Sequence, residues 1–215
     1  MKQEPNVMVR GVRAVLRPLG LETAGRAFFH RLQHLGNPPQ VKAPSETSKC
    51  RARLAPYCVG YGLDLGFGGD PIVRHAIGMD MPRPYSDVGQ LPVQLGGDAT
   101  RLVWFRDGVL DFVFSSHLLE DFVDVTAILQ EWLRVLRPGG RLLIFCPDEP
   151  AYRRHCAATG QPYNTHHVHA DFSLAFVKRA LDRTGVPYRI LHENPLIDIY
   201  SWEIVVEKLP PPATG

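Results

Sequence analysis

The clearest periodic signal in the chain lies at residues 125–136. Val125, Ile128, Leu129, Trp132, Leu133 and Leu136 recur at the spacing of one face of an α-helix. Asp124 stands where an N-cap belongs, and Pro138-Gly139-Gly140 stops the pattern and turns the chain. Beyond that stop, Arg141-Leu142-Leu143-Ile144-Phe145 forms a nearly continuous apolar run, as a strand buried on both faces requires. Similar strand-like runs occupy 59–65, Ile77-Gly78-Met79-Asp80 and 110–115, with a weaker one at Val93-Gln94-Leu95. A helix is expected at about 46–57 and another at 173–184, where Leu174, Val177 and Leu181 share a face between Ser173 and Gly185. Strands at about 187–191 and 199–207 complete the series. Strands alternating with helices, followed by two closing strands, spell an α/β fold with a doubly wound, mostly parallel sheet.

The pattern breaks in three places. Only sixteen residues separate Asp64 from Asp80, so the first crossover has room for one or two helical turns at most. Residues 81–96 carry Pro82, Pro84, Gly89, Pro92 and Gly96, which forbid a long helix. Residues 147–172 show no clean period, and a loop of that length in a compact domain is functional or disordered. It holds Tyr152, His155, Tyr163, His166, His167 and His169. At the front, 7–17 reads as a helix with Met8, Val12, Val15 and Leu16 on one face and Arg10, Arg13 and Arg17 on another. A second helix at 22–35 carries the stripe Phe28, Leu32 and Leu35, and 37–48 reads as a linker. The organisation expected is therefore an N-terminal helical arm or lid (1–48), one α/β domain (49–208) and a frayed tail (209–215).

Composition narrows the class. The chain has 215 residues, 45% of them apolar, enough for a single domain with a full core. Net charge is only +2, but residues 1–55 hold ten Lys/Arg against three acids, leaving fourteen against nineteen in the remainder. Such a basic arm suits an acidic substrate or weak peripheral docking on a membrane surface, or it is a pair of helices packed on the domain with its arginines in water. It lacks the interleaved aromatic residues of a nucleic-acid platform. No run of about 18 apolar residues offers a membrane span. The first residues show no continuous apolar segment of signal-peptide length, so no signal peptide is expected. Cys50, Cys58, Cys146 and Cys156 lack Cys-x-x-Cys spacing, so reduced thiols and a cytoplasmic location are expected, with no metal site.

The candidate chemistry starts at Tyr61-Gly62-Leu63-Asp64-Leu65-Gly66-Phe67-Gly68-Gly69-Asp70, an apolar run ending in an acid and a glycine-rich turn. Glycines there let the backbone turn and approach a ligand closely. Asp80, Asp98 and Ser115-Ser116-His117 fall at the carboxyl ends of the next strands, where doubly wound sheets bind ligands. A nicotinamide dinucleotide needs Gly-x-Gly-x-x-Gly opening a full helix; residues 66–71 read Gly-Phe-Gly-Gly-Asp-Pro, and Asp70 would sit near the phosphate.

These residues, together with Met79-Asp80, Gly97-Asp98-Ala99, Asp111-Phe112-Val113, Ser116-His117-Leu118-Leu119-Glu120 and the run from Glu131 through Arg134-Val135-Leu136-Arg137-Pro138-Gly139-Gly140, resemble the class I S-adenosylmethionine-dependent methyltransferases, in particular their small-molecule (methyltransferase type 11-like) branch. The resemblance implies a seven-stranded Rossmann-like sheet, here with shortened first crossover helices and an N-terminal helical extension. It implies S-adenosylmethionine as cofactor, with Gly66, Phe67 and Gly68 beside its methionine part and Asp64 steadying the turn. Asp80 would take the ribose hydroxyls with Met81 nearby, and Asp98 and Ala99 the adenine. Ser115 and His117 would line the floor near the sulfonium. The activity implied is methyl transfer to a small-molecule oxygen or nitrogen acceptor. The alternatives are a non-catalytic cofactor-binding partner of the same fold and a methyltransferase acting on a protein or lipid-linked sugar. Where the acceptor must lose a proton, His117, His166 and His167 are the base or substrate-contact candidates, with His169 beside them. Two positions depart from the family pattern: Asp70 stands at its third glycine, and Glu120-Asp121 replaces a frequent Glu-His pair.

Overall fold

A computed structural model describes residues 44–82 and 91–211. The chain divides into two compact units, Met1–Lys42 and Ala43–Gly215, and everything that follows concerns the second. The helices expected at 7–17 and 22–35, most of the 37–48 linker, Pro84, Gly89 and the last tail residues lie outside the described residues. The boundary expected at 48 falls inside the first described helix, α1 (Glu46–Leu54).

Seven strands form one sheet in the order β3-β2-β1-β4-β5-β7-β6. They are β1 (Gly62–Leu65), β2 (Ile77–Asp80), β3 (Leu95–Gly96), β4 (Leu110–Ser116), β5 (Leu136–Pro147), β6 (Tyr188–Ile197) and β7 (Ser201–Lys208). The pairs from β3 to β5 are parallel. β7 runs antiparallel between β5 and β6. The doubly wound, mostly parallel architecture read from the sequence is the one observed.

The helix with the best period, α2 (Val125–Val135), is capped by Asp124, whose side chain accepts from Ala127 N. With α4 (Leu174–Arg183), capped by Ser173, it covers one face of the sheet. Trp132, Leu133, Val177 and Leu181 are buried there against Leu63, Val113, Leu142 and Trp202. The opposite face is covered by α1: Cys50 and Leu54 pack with Ile72 and Ala76 on Phe112, Phe114, Leu143 and Phe145.

Four details differ from the sequence reading. Residues 66–76 contain no helix, so the expected short first crossover is a bare turn. The Arg137–Gly140 turn is absorbed within β5: Leu110 pairs with Leu136 but Phe112 with Arg141, so the extra residues bulge out. β6 runs to Ile197, six residues past its expected end at 191. Finally, 149–159 is a helix, α3 (Glu149–Thr159), not loop. Its polar sequence has little amphipathic period, and the residues that read as breakers are its boundary signals. Asp148 is the N-cap, Pro150 sits in the first turn, and Gly160 ends it at φ +70°.

Candidate functional site

Strand order reverses between β1 and β4, and a sheet of this kind leaves a crevice at that point. The carboxyl ends of β1 to β4 open there on a cavity of about 930 Å³.

The first wall is the glycine turn. Gly66 N donates to Met79 O at 2.8 Å, and Gly66 and Gly68 adopt φ +68° and +54°. A Cβ on Gly66 would also lie 3.0 Å from Leu118, so the turn and the next wall fit only without a side chain here. Asp64 lies behind the turn, fully buried, and does not reach the cavity. Its Oδ2 accepts from Ile72 N at 2.6 Å, while Oδ1 has no partner. Burial lifts this carboxyl to about 8, helped by Asp70 and Asp80 and opposed by the Ile72 amide and Arg51.

Asp80 ends β2 on the cavity wall. Its Oδ2 accepts from Gly68 N at 3.1 Å and its Oδ1 from Met81 N at 2.8 Å. The carboxylate is thereby fixed against the turn, with a lone pair on each oxygen left to spend. Phe67 packs over Gly78, where a Cβ would meet the ring at 2.8 Å. Asp98 and Ala99 follow β3; Asp98 Oδ1 accepts from Thr100 N, and Ala99 O accepts from the Trp132 indole at 2.8 Å. Glu131 and Arg134 of α2 bond the backbone of Leu102, so the core helix holds this loop in place.

β4 supplies the third wall. Ser115 is fully buried with Oγ donating to Leu65 O and does not line the cavity; its neighbour Ser116 does. His117 lines it with φ +49°. Its Nε2 is 3.2 Å from Glu46 Oε2, but off the angle of a hydrogen bond, and its Nδ1 is 3.6 Å from Glu120 Oε1. Burial pushes the imidazole down to about 4, with Lys49 and His167 acting the same way and Glu46 opposing. Glu120 is buried and is pushed up to about 8 by that burial, with Asp121 and Glu149 adding to it.

The histidine group expected near 166–169 is dispersed. His166 lines the cavity. His167 points into the protein, its Nδ1 2.8 Å from Glu149 Oε2, and His169 bonds Phe122 O through Nε2. Tyr152 and Tyr163 pack on His167, and Trp104 is exposed. Among the described residues no group of three or more His, Cys, Asp or Glu could hold a metal ion. All four cysteines are buried and free.

So Gly66, Phe67, Gly68, Asp80, Met81, Asp98, Ala99, His117 and His166 come together on one cavity, and Asp64, Ser115 and His167 do not reach it. The sequence reading missed the fourth wall, Pro44-Ser45-Glu46-Thr47 at the start of α1. A signal for it existed in Asp70. That carboxylate is bonded by the α1 cap Ser45 and by Arg51 at 2.6 Å, which hold it below the usual carboxylate range despite burial. Asp70 is thus a clamp between the turn and α1, and its charge is already matched. Glu46, Asp80, Asp98 and Asp121 line the cavity, and no lysine or arginine does among the described residues.

A family model described as a methyltransferase domain matches residues 63–144. The demethylmenaquinone methyltransferase of Mycolicibacterium gilvum is 53% identical over 51 residues, which are 24% of this chain and 22% of that protein. The chain thus aligns with about a fifth of the length of such curated relatives. Among solved structures, a complex of the Haloferax volcanii Trm112 methyltransferase activator with a methyltransferase matches at TM-score 0.56 and 17% identity, over 77% of this chain and 89% of that one. A SAM-dependent methyltransferase from Archaeoglobus fulgidus matches at TM-score 0.54 and 17% identity, over 75% and 94%. Residues 63–144 thus match a methyltransferase domain, and the fold is the one seen in solved S-adenosylmethionine-dependent methyltransferases.

Proposed function

We propose that the protein transfers a methyl group from S-adenosylmethionine to an oxygen or nitrogen of a small-molecule acceptor. The observation that carries this reading is the cavity at the switch point, with a side-chain-free turn on one wall and carboxylates on the others. A ribose presents a vicinal diol, and Asp80 keeps one lone pair per oxygen for it. Asp98, on the cavity wall, can accept from an exocyclic amine, and the turn from Gly66 to Gly68 leaves room for backbone to pass close to the methionine part. A sulfonium favours a cavity lined by acids without a basic side chain, whereas a pyrophosphate would be repelled by it. The residues present therefore fit the cofactor that the domain implies.

When bound, that cofactor supplies an activated methyl, and the protein's part is alignment and the exclusion of water. Phe67, Met79, Leu118 and Phe122 give the cavity its apolar surface. Asp64 contributes from behind by holding Ile72 N and hence the exit of the turn. Calorimetry tests the reading. S-adenosylmethionine and S-adenosylhomocysteine are expected to bind at micromolar levels, and Asp80→Ala is expected to weaken both by tenfold or more, as loss of a charge-assisted contact does. Unchanged binding in that variant would refute the assignment.

A further inference from the structure

Glu46 lines the cavity, yet it lies outside residues 63–144 and on a helix that, among the described residues, reaches the site from outside the alternating series. Its carboxylate is held by one partner and approached by another. Lys49 Nζ bonds both oxygens at 2.7 Å from the outer side, and His117 Nε2 approaches Oε2 to 3.2 Å from the inner side. Behind His117 a row of buried groups continues. Glu120 Oε1 lies 3.6 Å from His117 Nδ1 and 3.8 Å from His167 Nε2, and Glu149 bonds His167 and Arg153. Cys146 donates its thiol to the other oxygen of Glu120.

We infer that Glu46 is the residue that meets the methyl acceptor, that His117 and Glu120 position it, and that the acceptor it fits is an amine nitrogen. The inference rests on the methyl-transfer reading above. An imidazole between two carboxyl groups places its one proton beside the one that is ionised. Glu46 is a third exposed, whereas Glu120 is buried, where the charged form of a carboxyl is disfavoured. The arrangement is then Glu120 O–H toward His117 Nδ1, and His117 Nε2–H toward Glu46 Oε2. Catalytic hydrogen bonds are often long or poorly aligned until substrate is bound. His117, held neutral, is a poor base but a good donor, so it orients the carboxylate as the third member of a catalytic array orients the second. Lys49 already bonds both oxygens of Glu46, and each oxygen keeps a lone pair with which it can accept from a second ammonium group on the cavity side. The carboxylate is too weak a base for an aliphatic hydroxyl. In the reaction, an N–H proton of the ammonium passes to Glu46 Oε2, and the freed nitrogen lone pair forms the N–CH₃ bond as the methyl–sulfur bond breaks with its electron pair left on sulfur.

Sinefungin, in which an ammonium-bearing carbon replaces the methyl sulfonium, presents an amine to this position without any acceptor. By calorimetry on the full chain, it is expected to bind about tenfold or more tightly than S-adenosylhomocysteine, the scale of one charged hydrogen bond. In Glu46→Gln that preference should fall toward one while S-adenosylhomocysteine affinity stays within about twofold of wild type. An equal preference in both proteins overturns the role of Glu46. If neither compound binds wild type, the methyl-transfer reading falls and this inference with it. The positioning roles have their own readout, the ring ¹⁵N shifts of His117 at pH 7.5, identified by their loss in His117→Asn. Nε2–H is expected, and Nδ1–H would overturn the array.

Discussion

Asp64 is fully buried at the end of β1, and its folded-state proton affinity is far above that of an exposed aspartate. The sign of the consequence follows from linkage. Between pH 4 and about 8 the folded protein binds this proton and the unfolded chain does not, so stability falls as pH rises through that window. At pH 7 the unfolded group stands roughly three pH units above its own pKa. At about 1.4 kcal/mol per unit, ionisable Asp64 costs up to roughly 4 kcal/mol of stability there. The substitution Asp64→Asn keeps an oxygen for the Ile72 amide and removes the ionisable group. The new amide nitrogen would face the position where Oδ1 has no partner, much as the protonated acid does, so that penalty is common to both proteins. Asp64→Asn is therefore expected to stabilise the protein by about 2 kcal/mol at pH 7, within the ceiling of roughly 4, and to have little effect near pH 4. Urea midpoints at pH 4, 5, 6, 7 and 8 measure it. Glu120 titrates in the same direction and leaves some slope in both curves, so the difference between the curves isolates Asp64. Parallel curves, or a variant weakened equally at every pH, would refute the buried-acid account.

Gly66→Ala puts a side chain at φ +68° and 3.0 Å from Leu118; a loss of about 1–2 kcal/mol in thermal unfolding and a clear drop in S-adenosylmethionine affinity by calorimetry are expected. Arg53→Met leaves Glu203, fully buried on β7, with His192 as its remaining ion-pair partner among the described residues; a destabilisation of roughly 3 kcal/mol in urea is expected, and less than about 1 would show the pair to be dispensable.

The sheet was legible because its parallel strands are buried on both faces and so appear as apolar runs, and because α2 keeps its period without a miss. The cavity wall was legible for a related reason: Gly66, Asp80, Asp98 and His117 each stand at or just past a strand end, so finding the strands fixes their place. What stayed hidden depends on side-chain direction. Ser115 and Ser116 are neighbours on β4, where alternate residues face opposite sides, and only Ser116 reaches the cavity. His166 and His167 divide in the same way between cavity and interior. α3 was missed because Pro150 and Gly160 read as breakers when taken one at a time, although a proline in the first turn and a glycine past the last are the marks of a helix's two ends.

The bare first crossover connects these observations. A full helix after β1 would pack on the face of the sheet where α1 now lies, beside Ile72 and Ala76. With only a glycine turn there, the face is left open to a helix from earlier in the chain. Asp70, at the end of the glycine turn, supplies the tie: its carboxylate holds both the cap residue of α1 and Arg51 within the helix. That tie sets the start of α1 at the carboxyl end of the sheet, and the first residue of the helix is Glu46. The bare crossover opens the face and Asp70 ties the helix that fills it, so the two together bring the carboxylate of Glu46 to the cavity. If that connection holds, Arg51→Met should disturb the site from a distance. Ser45 still bonds Asp70, so the protein should remain folded, with the thermal midpoint lowered by a few degrees at neutral pH. The sinefungin preference should shrink toward that of Glu46→Gln even though Arg51 does not line the cavity. An Arg51→Met protein that binds sinefungin and S-adenosylhomocysteine with the wild-type ratio would show that α1 reaches the site without the Asp70 clamp.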